Sequence, residues 1–116
     1  MTSNAYFTLG SYYFRKGRFL KANSCFLHCK FIRKSNEVFD YEVISACDIN
    51  LACGYLDLGE YQKSLEVLKE AQTEIILEKG KSTFSGKRIL ELMSIAYLKL
   101  EMFNEATKCF KKAERI

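Results

Sequence analysis

The chain has 116 residues, 48% of them hydrophobic and 28% charged, with six Gly, no Pro and no Trp, a composition that fits one globular domain and excludes a disordered or collagen-like polypeptide. At this length one compact core can form but a two-domain enzyme cannot, because small chains must bury most of their apolar surface to fold at all. The net charge of +4 is too mild to demand a nucleic-acid or membrane partner, yet it conceals opposed segments: residues 1–36 carry seven bases and no acid, residues 37–78 two bases and ten acids, and residues 79–116 nine bases and four acids.

Apolar residues recur at intervals of three and four, and no stretch alternates as a strand would, so the chain is expected to be helical nearly throughout. The spacing predicts helices over 4–16, 19–34, 38–57, 61–78, 84–100 and 103–115. In the first, Tyr6, Leu9, Gly10 and Tyr13 share a face and Ser3 is placed to cap the start. Lys16, Gly17 and Arg18 form a turn, and Phe19, Ala22, Phe26 and Cys29 then line the facing side of a second helix, making an antiparallel hairpin. Cys25, His28 and Cys29 stand one turn apart, but a structural zinc site needs a fourth ligand and usually two separated pairs. No metal or other cofactor is therefore expected. His28 is read as a solvated surface residue, and all five cysteines as reduced thiols. The basic run Arg15, Lys16, Arg18, Lys21, Lys30, Arg33 and Lys34 is read as a solvated convex face, leaving nucleic-acid binding as a third-ranked possibility.

The third and fourth helices bring Leu51, Ala52 and Tyr55, then Gly59, then Tyr61, Ser64, Leu68 and Ala71. Gly80 suits the end of the fourth helix, and Ser82 or Ser85 the start of the fifth. The last two bring Met93, Ser94 and Tyr97, then Glu101, then Phe103, Ala106, Phe110 and Ala113. Each set follows the one before by 42 residues. Tyr13, Tyr55 and Tyr97 are thus equivalent, as are Phe26, Leu68 and Phe110, and the chain divides into repeats of about 3–36, 37–78 and 79–116.

This pattern resembles the tetratricopeptide repeat, whose signature runs from an aromatic through Leu-Gly to Tyr and, beyond a turn, to alternating small and large residues. The first copy fits best, with Tyr6 in place of Trp and Cys29 in place of Ala. The second departs at Asp48, where an aromatic is expected; the third departs at Leu90, Ser94 and Glu101. The long repeat and Asn50-Leu51-Ala52 are similar to the Leu-Gly-Asn scaffold and kinesin light chain types. The resemblance implies an all-α superhelix, a solenoid of three helical hairpins, with a non-enzymatic role as scaffold or adaptor that binds a protein or peptide ligand.

Catalysis has little to work with. One histidine cannot assemble a nucleophilic triad with the available Ser or Cys, and Glu78 to Thr83 lacks the leading Gly and the strand of a phosphate loop. The first helix of each hairpin is expected to line the concave wall, which by helical phase places Phe7, Ser11 and Phe14, then Ile49, Asn50, Cys53 and Leu56, then Arg88, Glu91, Leu92 and Ile95 on the partner-binding groove. In the co-chaperone branch, a two-carboxylate clamp occupies positions held here by Phe7, Ser11, Asn50, Arg88 and Leu92. Only Asn50 and Arg88 suit it, so chaperone-tail recognition is disfavoured. The alternative reading is a structural unit that assembles with itself, or a piece of a longer array, through its uncapped C-terminal hairpin. No apolar run reaches the roughly 20 residues of a membrane span, and no secretory leader is apparent; a cytoplasmic setting is expected, with a nuclear one as the alternative.

Overall fold

The computed structural model describes residues 2–35, 41–79 and 84–116. Six helices follow one another as α1 (Ser3–Arg15), α2 (Phe19–Ser35), α3 (Tyr41–Asp57), α4 (Tyr61–Lys79), α5 (Phe84–Lys99) and α6 (Phe103–Glu114), with no strand among the described residues. They pair as the hairpins α1–α2, α3–α4 and α5–α6, and α2 packs on α3 as α4 packs on α5. The molecule measures 42 × 30 × 18 Å, and its shortest dimension is about two helix diameters. The architecture is an all-α superhelix of two helical layers, as the resemblance implies.

Each hairpin closes with the same backbone device. Arg18, Glu60 and Met102 donate their amides to the carbonyls of Tyr13, Tyr55 and Tyr97, while Gly17, Gly59 and Glu101 donate to residues three places back. This is the Schellman arrangement, which requires a left-handed residue just past the helix end. Gly17 and Gly59 supply it at φ 74° and 77°, and Glu101 is forced to the same conformation at φ 60°. At the other end of α1 the cap is Thr2, whose hydroxyl accepts from the Ala5 amide at 3.1 Å. Ser3 is instead the first helical residue. Ser85 is the second residue of α5; Gly80 and Ser82 lie outside the described residues, as do positions 38–40 at the expected start of the third helix.

Small residues sit where helices cross closely. A β-carbon added to Gly10 would come within 2.9 Å of the Phe26 ring, and one added to Gly54 would collide with the Asn23 side chain. Ser64 is fully buried in such a slot and donates its hydroxyl to the Ala52 carbonyl of α3 at 3.0 Å. Around these crossings the core forms two clusters. Ala22, Phe26, Cys29, Cys47 and Leu51 fill the first, between α2 and α3. The second spans α3 to α6 and includes Leu65, Leu68, Ile89, Met93 and Ala96. Helix α3 contributes to both, through Leu51 on one side and Ala52 on the other.

A polar contact borders the first cluster. Asp48, wholly buried at the position where the repeat expects an aromatic, meets Lys30 of α2 at 2.7 Å. Lys30 also lies 3.3 Å from Glu70, and Lys34 lies 2.6 Å from Glu70 and 2.8 Å from Glu74. Two cations of the basic first segment thus dock on three anions of the acidic second, a charged ladder linking α2 to α3 and α4. The convex basic face expected from sequence is therefore only partly solvated: Arg15, Lys16, Arg18 and Lys21 are exposed, whereas Lys30 is buried. The oxygens of Asp48 find no hydrogen-bond partner of good geometry among the described residues. Burial dominates, and despite the Lys30 ammonium it lifts the Asp48 carboxyl from 3.8 to about 6.

Candidate functional site

Helices α1, α3 and α5 line one wall of the array, and the structure distributes the expected groove residues unevenly along it. Phe7 and Phe14 are half-buried against the first cluster. Phe7 meets Phe26 edge-on at 5.7 Å, and Phe14 meets Phe19 at 5.4 Å, so both rings serve packing first. Ser11 is half-buried and spends its hydroxyl on the Phe7 carbonyl of its own helix at 2.9 Å.

The middle of the wall is different. Ile49, Cys53 and Leu56 pack partly buried on the second cluster. Between α3 and α5 opens a hollow of about 380 Å³, lined by Cys53, Leu56, Asp57, Tyr61, Ile95 and Lys99. Cys53, Leu56 and Ile95 are thus brought together around one hollow, and Ile95 is 40% exposed at the mouth. Asn50, Arg88 and Glu91 are half-buried on the same two helices. Burial raises the Cys53 thiol, and the nearby Arg88 guanidinium offsets part of that rise. Leu92 does not join them: it is 2% exposed inside the second cluster. One residue of helical phase separates it from Glu91, and that residue turns it from the wall into the core.

Asp57, Tyr61 and Lys99 were not anticipated at this site. The signal lay in the repeat itself, because Asp57 and Lys99 hold the same place in successive copies and carry opposite charge. Tyr61, first residue of α4, closes the hollow from the turn side.

The cysteine and histidine readings can also be placed. Cys25 and Cys29 are buried free thiols, whereas His28 is exposed, stacked on Tyr6 at 4.9 Å and hydrogen-bonded through Nδ1 to the Ser24 carbonyl at 2.8 Å. The three potential ligands therefore diverge. Among the described residues, no helix is long and apolar enough to cross a membrane.

Comparison with known proteins agrees with this architecture. The TPR domain of Arabidopsis FLU superposes with a TM-score of 0.87 over 97% of this chain and 92% of that domain, at 14% identity. BtubC (BKLC) from P. vanneervenii superposes with a TM-score of 0.80 over 90% of this chain and 41% of its own length, at 19% identity. Identities this low speak to fold alone. No curated protein sequence matches. The family model for the tetratricopeptide repeat matches residues 3–35 and 88–116, the first and last hairpins, and passes over the middle one in which Asp48 replaces the aromatic. Matched over more than half its length, with three hairpins closed by the same turn, the chain belongs to the tetratricopeptide repeat family, whose members are generally protein-interaction modules.

Proposed function

We propose that this protein is a non-enzymatic scaffold or adaptor that holds an extended or helical segment of a partner protein along the α1, α3 and α5 wall. The observation that carries this reading is the hollow between α3 and α5, where Cys53, Leu56, Tyr61 and Ile95 offer apolar contact and Asp57 and Lys99 set opposite charges at its edge. An apolar floor with a few polar groups is what anchors and orients a ligand side chain. Asn50 can donate to and accept from an extended backbone, and Arg88 can pair with a carboxylate. A cytoplasmic setting suits such a module.

The test is capture of protein partners by immobilised wild type and by two variants, Asn50→Ala with Arg88→Ala, and Ile95→Lys. Both variants should keep the wild-type melting transition and lose the captured partners. Retention of all partners by both would sink the groove assignment.

A further inference from the structure

The two ends of the solenoid leave exposed what the inner junctions bury. Phe26 and Leu68 are fully buried at their junctions, while the equivalent Phe110 is 54% exposed on α6 and Phe103 is 61% exposed beside it. At the opposite end, Leu51 and Met93 are buried, while the equivalent Leu9 is only half-buried and Tyr12 is 49% exposed. We propose that the α6 face of one molecule receives the α1 face of a second copy, head to tail, continuing the step by which α3 follows α2 and α5 follows α4.

Side-chain size supports this occupant. At the first junction Asn23 fills the space left by Gly54. At the second, Leu65 and Ala96 hold the same places, both buried in one cluster. At the junction between copies the places fall to Thr107 and Tyr12, so the small and large partners change sides and the volume is again filled. Polarity matches in the same inverted way. Glu114 stands at the place of Lys30, and Tyr6 at the place of Asp48. A shorter acceptor then faces a longer donor, with the Tyr6 hydroxyl donating to the Glu114 carboxylate where the Lys30 ammonium meets Asp48 at 2.7 Å.

One position opposes the contact. Lys99 takes the place of Asp57 and faces Arg15 of the second copy, and both end segments are basic. Such repulsion between exposed charges is screened by salt, so association should strengthen as salt rises, the reverse of an interface built on opposite charges. Because the contact is heterologous it does not close on itself, and pairs should extend to longer arrays at high concentration.

Sedimentation of the purified chain over a concentration series, at low and at high salt, tests the proposal. Wild type should self-associate more strongly at high salt. Phe110→Glu and Tyr12→Glu, each blocking one end, should each weaken association by about tenfold or more. Mixed together they should form a one-to-one pair and nothing larger, since each retains the end that the other lacks. Thr107→Trp, at an exposed site, repeats the C-terminal block should Phe110→Glu fail to give the wild-type melting transition. The proposal is overturned if wild type stays monomeric at high salt and high concentration, which would assign the α6 face to a different partner. It is equally overturned if Tyr12→Glu associates as wild type does while Phe110→Glu does not, which would mean α6 pairing with itself. Phe110→Glu should leave partner capture by the α3 and α5 hollow intact, so the two proposals fail separately.

Discussion

Asp48 shows how much a single departure from a repeat pattern can carry. Its carboxyl titrates at about 6 in the folded chain against an ordinary 3.8, so between those values the folded state holds a proton that the unfolded state has released. Stability from this group therefore rises as pH falls through 6, and ionisation above pH 6 costs on the order of 2 to 3 kcal/mol. Glu70 runs the other way. Its hydrogen bond to Lys34 holds it below the ordinary 4.5, so its contribution is present at neutral pH and lost as pH falls below that range. Thermal unfolding should accordingly show a stability maximum near pH 5 rather than at neutrality. Asp48→Asn should flatten the slope between about pH 4 and 6 while leaving the acid limb in place, and an unchanged slope would remove Asp48 as its source. The sequence marked Asp48 only as a misfit. What could have identified its role was the switch from an all-basic first segment to an acidic second, with Lys30 and Lys34 at one end and Asp48, Glu70 and Glu74 at the other. The opposed charges of the first and second segments are in part consumed between neighbouring hairpins.

At the level of elements the chain was legible because its turns repeat. The shared spacing of Gly17, Gly59 and Glu101 marks three helix ends, and the observed helices begin and end within a residue or two of their expected positions wherever both are described. The same logic shows where local preference loses. Thr2 rather than Ser3 caps α1, since capping depends on which hydroxyl sits outside the first helical residue, and both side chains are chemically able. Glu101 adopts a left-handed backbone that costs an L-residue about 1 to 2 kcal/mol, because the Tyr97 carbonyl and the packing of α6 leave the turn no alternative. Replacing it with Gly relieves that strain at the expense of a looser unfolded chain, about 0.4 to 1 kcal/mol. Glu101→Gly should therefore stabilise the protein by about 0.5 to 1 kcal/mol, raising the denaturation midpoint by an amount that chemical unfolding can resolve. Gly59→Glu, the reverse exchange in the second turn, should lower it. The wall residues were harder to read: Glu91 and Leu92 are neighbours with opposite fates, and a helix that packs on three sides has no single polar face to fix its phase.

Over the whole molecule, the proposed function and the proposed assembly use different surfaces, a side wall and two end faces. The hollow of α3 and α5 lies at the second junction, where the larger cluster gives it a rigid floor, whereas α1 presents its aromatics mainly to its own hairpin. The two clusters, joined mainly through α3, with Val67 of α4 also touching the first, have a consequence for how the chain opens. In α1 only Gly10 is buried, and its hairpin rests on the smaller cluster and on the Lys30 and Lys34 contacts. Stacked repeats exchange stability chiefly with their neighbours, so the α1–α2 hairpin should behave as its own cooperative unit. Amide hydrogen exchange should show α1 and α2 opening at a lower free energy than the slowest amides of α3 to α5. The difference should widen when Lys30→Ala leaves the Asp48 carboxylate buried without a cation. Uniform protection across all the helices would mean that α3 couples the clusters into a single unfolding event. If they separate, the first hairpin can melt while the hollow persists, so the proposed binding surface survives in a partly unfolded state.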